Sequence, residues 1–341
     1  MGAVRAWLWL TAALIFLMVF VGGATRLTES GLSITEWKPV AGILPPLSGA
    51  AWLVEFEKYK LIPQYSQMFP DMTLAQFKTI FYWEWSHRLL GRLIGIVFAL
   101  PLLWFAVRGV LRGRLLIQLI CVLGLGALQG AVGWWMVASG LVGRVEVAPE
   151  RLAVHLFLAS LTFVAIIWIA TGLKPPKSFN SIPALQRQGH VLLWLVLLQI
   201  VLGALVAGSR AGLSYNTWPL MDGHFVPAME NLFRLTPWWL NFLENVTTIQ
   251  LQHRMFAYLI VIFTAWHAWT AMRVAPDTAA SRRAFAIASI VVVQAGLGIA
   301  TLLFAAGRIP IRLALTHQAV AFVLLAMVVI HVNRLNLRES R

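Results

Sequence analysis

Apolar positions in this chain do not alternate with polar ones. They gather into eight blocks, at about 7–24, 84–107, 115–138, 152–172, 189–208, 249–272, 284–306 and 313–333. Each block is long enough to cross ~30 Å of hydrocarbon as a helix, the form in which a segment pairs its own backbone N–H and C=O groups. The pattern predicts an all-α integral membrane protein with eight transmembrane helices. The first block follows one basic residue, Arg5, much as a signal peptide would. It has the length of a full span and no evident small-residue cleavage site, so it reads as a retained helix. Two long polar stretches, 25–83 and 209–247, interrupt the blocks and are broken by prolines. Short surface-lying helices are predicted there around 49–60 and 73–82. Trp37, Trp52, Trp218, Trp238 and Trp239 suit a membrane–water interface.

Composition agrees with the pattern: 60% of the 341 residues are apolar and 12% charged, which excludes a soluble globular domain. The formal charge of +14 needs its placement considered before it says anything about partners. An even number of spans puts both termini on one side, with thirteen Lys/Arg there against two acids, Asp277 and Glu339. Short Lys/Arg-rich loops stay in the cytoplasm, so both termini are predicted inside and the two long stretches outside. The charge is then a topology signal, and no nucleic-acid partner is implied. Cys121 is the sole cysteine, which excludes an intrachain disulfide and a Cys-based metal cluster.

The chain also repeats itself. Gly31-Leu32-Ser33 recurs as Gly212-Leu213-Ser214, His87-Arg88 as His253-Arg254, Gln129 with Gly133 as Gln294 with Gly298, and His155 as His317. The offset falls from 181 to 162 residues along the chain, mainly because the first long loop is 15 residues longer than the second. The reading is two pseudo-symmetric four-helix bundles, 1–173 and 188–341, joined by a cytoplasmic linker at 174–187. Such pseudo-symmetry places a site in each half or one at their interface.

His87, His155, His253 and His317 all fall near the outer ends of spans two, four, six and eight. Two parallel helices in each half would thus present imidazoles at one depth, as a bis-histidine haem iron requires. A lone intramembrane histidine is as readily a polar group satisfied by neighbours, but four at equivalent repeat positions weigh against that. Zinc is the weaker rival, since each half lacks an evident third ligand. Arg88 and Arg254 follow two of these histidines and could meet a porphyrin's propionates, with Arg92 one turn beyond Arg88 either assisting or reaching lipid headgroups. Gly91 and Gly95, and Gly126 and Gly130, permit close helix packing and equally the approach of a flat ring; helix packing is the reading taken.

The halves differ at Glu84, which shares a helical face with His87 and is replaced in the repeat by Gln250. A carboxylate beside one histidine and not the other implies different work in the two halves, although a helical ion pair with Arg88 is the plainer alternative. His267 and His331 each lie fourteen residues beyond a candidate ligand, about 21 Å along the same helical face, so the second half could stack a second, inner haem. His331, near the cytoplasmic end, could equally be a solvated residue.

These residues resemble the heme A synthase family over nearly the whole chain. The resemblance is carried by Thr25-Arg26-Leu27-Thr28 with Gly31-Leu32-Ser33, Trp37-Lys38-Pro39, Gly42 through Pro46 and Glu84-Trp85-Ser86-His87-Arg88. It continues through Gln129-Gly130 with Gly133-Trp134-Trp135-Met136-Val137, His155, Asn216 through Met221, Gln252-His253-Arg254 and Thr316-His317-Gln318. The long first loop and the absence of outer cysteines are similar to the mitochondrial and alphaproteobacterial branch. The resemblance implies an oxidoreductase that converts a ring methyl of haem O to the formyl group of haem A for cytochrome oxidase, by successive hydroxylations with loss of water. It implies that His87 and His155, with Arg88, hold the substrate haem, that His253 and His317, with Arg254, ligate a resident haem b cofactor, and that Glu84 is the essential acidic residue. The expected setting is the bacterial inner (cytoplasmic) membrane, with the haem sites near its outer face. Candidate partners are a haem O synthase, an electron donor and a second copy of the chain. A transmembrane b-type electron-transfer cytochrome is the main alternative, and a repeat-built transporter a more distant one.

Overall fold

The computed structural model describes residues 1–174 and 182–336, so part of the predicted linker (175–181) and the last five residues lie outside the described part. In chain order the helices are α1 (Gly2–Leu27), α2 (Gly49–Lys60), α3 (Pro63–Met68), α4 (Leu74–Val107), α5 (Gly113–Ala138) and α6 (Pro149–Gly172). They continue as α7 (Pro183–Gly208), α8 (Met229–Leu232), α9 (Val246–Val274), α10 (Ala279–Leu303) and α11 (Ile311–Asn336). All eight expected spans are present, as α1, α4, α5, α6, α7, α9, α10 and α11, each long and apolar enough to cross a membrane. The chain is a multi-pass helical membrane protein.

The long first loop forms a small hydrophobic cap, and here the sequence reading needs correction. The helix expected at 49–60 is α2, capped by Ser48, whose hydroxyl accepts from Ala51 N at 3.2 Å. The separate surface helix expected at 73–82 is instead the beginning of α4. Thr73 opens it with a capping box: its Oγ1 accepts from Gln76 N at 3.3 Å, and Gln76 Oε1 accepts from Thr73 N at 2.8 Å. No Gly or Pro interrupts 74–90, so the helix runs straight into the apolar block. Its first turns bury Phe77 and Phe81 against Trp52, Phe56 and Tyr59 of α2. The rings of Trp52 and Phe81 meet edge to face at 5.0 Å between centroids. Trp52, expected at the membrane interface, therefore belongs to the core of the cap and is 6% exposed, whereas Trp37, Trp218, Trp238 and Trp239 are exposed.

By proximity the chain forms two compact units, Leu14–Ala159 and Met1–Ala13 with Ser160–Arg341. These boundaries fall inside α1 and α6, whereas the sequence repeat divides the chain at 174–187. Within the second unit, α7, α9, α10 and α11 pack as a ring of neighbours, α7 on α9, α9 on α10, α10 on α11 and α11 on α7. Within the first, α4 packs on α5 and on α2.

At the short-loop end of that ring, His267 and His331 are both fully buried. Their Nε2 atoms lie 2.9 Å apart, and Gln188 Oε1 is 2.9 Å from His267 Nδ1. With Gln188 accepting from His267 Nδ1–H, the other nitrogen of His267 accepts from His331 Nε2–H. Two imidazoles joined directly leave no gap for a porphyrin between them, which overturns the inner haem; the burial of His331 overturns its reading as a solvated residue. The pair is a polar fastening of α9 to α11, with α7 as its third member. Removing one partner strands the others in an apolar interior, so His267→Ala should cost about 1–3 kcal/mol. Thermal unfolding in detergent should fall accordingly, with bound haem per chain unchanged.

Candidate functional site

Each of the four candidate histidines sits against a glycine on a neighbouring helix. A Cβ built on Gly22 of α1 would lie 3.0 Å from Nε2 of His87 on α4. One on Gly133 of α5 would lie 2.9 Å from Cε1 of His155 on α6. A Cβ on Gly203 of α7 would lie 3.3 Å from Cε1 of His253 on α9, and one on Gly298 of α10 would lie 2.9 Å from Cε1 of His317 on α11. Only hydrogen at these positions lets the helices close on the rings.

Glutamine amides fasten three of the four turns. Gln129 Nε2 donates to His155 O at 3.0 Å and lies 3.2 Å from its Nδ1. Gln199 Nε2 donates to His253 O at 3.0 Å and lies 3.1 Å from its Nδ1. Gln294 Nε2 donates to His317 O at 3.0 Å and lies 3.4 Å from its Nε2. In all three amides the oxygen is buried without a partner.

Beside the histidines, charged side chains tie the long loops to the spans. Glu84, 2% exposed, receives two donors on each oxygen. Oε2 accepts from Ser33 Oγ at 2.8 Å and Ile34 N at 2.7 Å; Oε1 accepts from Arg88 Nε at 3.1 Å and Nη2 at 2.6 Å. Arg88 also donates to the carbonyls of Ile34 (2.8 Å) and Glu36 (2.9 Å). The helical ion pair between Glu84 and Arg88 is thus present, inside a larger clamp on the Gly31-Leu32-Ser33 turn.

The second half builds a matching clamp without the charge. Gln250 Nε2 donates to Ala211 O at 2.9 Å and Tyr215 O at 3.2 Å, while Arg254 donates to Tyr215 O at 3.0 Å and Gln250 Oε1 at 3.3 Å. Ile34 and Tyr215 are separated by 181 residues, the same offset as the Gly-Leu-Ser turns, so the two arginines grip the same carbonyl of the repeat. Arg92 donates to Pro39 O at 2.7 Å and Lys38 O at 2.8 Å, so its Nε and Nη2 anchor the loop. Within these loop clamps, Arg92 Nη1 and Arg254 Nε are buried without a hydrogen-bond partner. Farther out, hydrogen bonds from Lys38 and then Lys58 hold the Glu36 carboxyl below its ordinary 4.5. That network contributes at neutral pH and is lost as pH falls through the lowered value.

The sequence reading named all four histidines, Glu84 and both arginines as candidates, and it linked Gln129 to Gln294. It missed Gln199 and misread several glycines. A Cβ at Gly95, Gly126 or Gly130 would meet nothing within 4 Å, so these do not serve close helix packing; at Gly91 it would meet Met18 Cε at 3.1 Å. The signal available was the Gln-x-x-x-Gly spacing at 129–133, 199–203 and 294–298.

Eight apolar helices carrying four half-buried imidazoles, each seated against a glycine, define a polytopic helical membrane protein. A family model described as cytochrome oxidase assembly protein matches residues 5–329. The chain belongs to that family. Among its relatives are proteins named heme A synthase from Bradyrhizobium sp. (strain ORS 278), 55% identical over 99% of this chain and 92% of the relative. Another with that name, from Beijerinckia indica, is 54% identical over 98% and 93%. A third, from Methylobacterium sp. (strain 4-46), is 53% identical over 96% and 91%.

The glycine seats make a sharp test. Gly133→Ala and Gly298→Ala should each push an imidazole aside and lower bound haem per chain several-fold. Gly49→Ala, at the start of the cap helix α2 where a Cβ meets nothing within 4 Å, should leave it unchanged, as read from the visible absorbance of the purified protein.

Proposed function

We propose that this protein is a heme A synthase, an oxidoreductase that takes haem O as substrate and oxidises one ring methyl to the formyl group of haem A for cytochrome oxidase. The observation that carries the proposal is the set of four half-buried imidazoles, each fitted to a glycine on a neighbouring helix. Full-length relatives named for this activity support it. The methyl carbon is oxidised to the level of two hydroxylations, four electrons in all, with dioxygen as the external oxidant, and the resulting gem-diol loses water to leave the aldehyde.

In this reading residues 1–173 form the substrate half, with His87 and His155 on either side of haem O, and 188–341 form the half in which His253 and His317 hold haem b. The two halves are four-helix bundles related by pseudo-symmetry. The donor set fits haem: each half offers two nitrogen ligands, and among the described residues no group of three His, Cys, Asp or Glu could hold a bare metal ion. The unpaired Arg254 Nε and Arg92 Nη1 are cationic donors available to propionates; Arg88 contributes mainly by fixing the loop over the site. When bound, haem b supplies one-electron transfer from the external donor. Both termini lie in the cytoplasm, and the sites lie near the outer face of the cell membrane.

Glu84 and Gln250 make comparable loop clamps, so the clamp does not require a negative charge. The charge at Glu84 serves the chemistry of the substrate half. With both oxygens saturated by donors, Glu84 is held as a fixed anion, suited to stabilising positive charge as the methyl group is oxidised. A role as a mobile proton acceptor fits this geometry less well. Glu84→Gln should keep haem on the protein and cut haem A formation 100-fold or more, in line with the loss of one preorganised electrostatic group. The check is to supply haem O and reductant to the purified protein in air, so that dioxygen is present as oxidant, and extract the pigments. Haem A formed at the wild-type rate would remove Glu84 from the mechanism. A wild-type protein that binds haem and leaves haem O unchanged would favour the electron-transfer cytochrome.

A further inference from the structure

The four histidine seats are not equal. In three of them a glutamine four residues before the seating glycine donates to the histidine carbonyl and lies against the imidazole: Gln129 before Gly133, Gln199 before Gly203 and Gln294 before Gly298. The fourth, at His87, has Gly22 as its seat and Met18 where the glutamine would stand. Met18 and Gln199 are 181 residues apart, as are Gly22 and Gly203, so the correspondence rests on the seats themselves. A thioether has no hydrogen to donate and is a weak acceptor. The methyl of Met18 packs toward Gly91, one turn past His87, 3.1 Å from where a Cβ there would sit. No hydrogen bond fastens the His87 ring among the described residues.

We propose that Met18 is a positioning residue that leaves His87 as the exchangeable axial imidazole, while His155, His253 and His317 are fastened. The inference rests on the reading of these histidines as haem ligands. Partners that orient a ligating imidazole typically change its hold on the metal by 10–100-fold. The substrate haem thus keeps His155 and can release His87, opening one face of its iron to a small exogenous ligand. Both imidazoles of the second half stay in place, as a centre that only passes electrons needs. The difference is local to two helix turns and needs no movement of the spans.

The test is a carbon monoxide titration of the full-length, haem-loaded protein in detergent after reduction, followed by absorbance, with total haem measured as its pyridine complex. In the wild type, carbon monoxide should bind the first-half haem and leave the second-half haem six-coordinate. Met18→Gln should lower the carbon monoxide affinity of the first-half haem tenfold or more. Met18→Leu, which keeps the bulk and adds no donor, should titrate as the wild type does. Gln199→Met should create a second carbon-monoxide-binding population on the His253 side, so the proposal stays testable even if Met18→Gln does not accumulate. Wild-type protein that holds both haems and binds no carbon monoxide overturns the proposal. So do Met18→Gln and Gln199→Met proteins that titrate as the wild type does, with the haem-ligand reading left standing. Full-length protein that carries no haem when produced in cells making haem O and haem b would instead overturn that reading.

Discussion

The contact on which the site depends is that of an imidazole edge against a backbone that carries no Cβ. Helices in hydrocarbon are not pressed together by water, so their separation is set by what their facing surfaces allow. At Gly22, Gly133, Gly203 and Gly298 the surface allows a ring to approach to about 3 Å of where a side chain would begin. Each contact fixes one pair of spans, α1 with α4, α5 with α6, α7 with α9 and α10 with α11. The glutamine amides then hold three of those turns through the histidine carbonyl. Ring position and helix position are consequently one constraint, and altering the glycine alters both.

Around that constraint the loops play a supporting part with a definite physics. Arg88 within α4 and Arg254 within α9 reach back to loop carbonyls, and the residue one turn before each arginine completes the grip. Glutamic acid and glutamine both serve there, because what the loop requires is donors and acceptors at the right distance. Charge is an added property in one half only. That separation between geometry and charge is why Glu84 can tie the loop and, in the proposed function, also supply a fixed charge.

Much of this was legible in the sequence, and for identifiable reasons. The spans could be read because a membrane leaves the backbone no alternative to helix over twenty apolar residues. The four histidines and the contrast between Glu84 and Gln250 could be read because the chain repeats, so position itself carries information. The cap was misread at 73–82 because local polarity resembled a separate amphipathic segment, and nothing local reveals that Phe77 and Phe81 pack on α2. Trp52 was assigned to an interface for the same reason: the aromatic residue was visible, and its neighbours were not.

The sequence alone therefore determined the number of spans, the repeat and the residues able to do chemistry. The hydrophobic run lengths and the inventory of polar groups in apolar segments are local properties. Only the tertiary structure decided which of those polar groups remain available. It joined His267 to His331 and so removed a second haem from consideration, put Glu84 and Arg88 into the loop clamp, and separated seating glycines from those facing open space. It also set Met18 apart from three glutamines. These outcomes depend on distances of about 3 Å between residues far apart in the chain, which spacing along a single helix cannot supply.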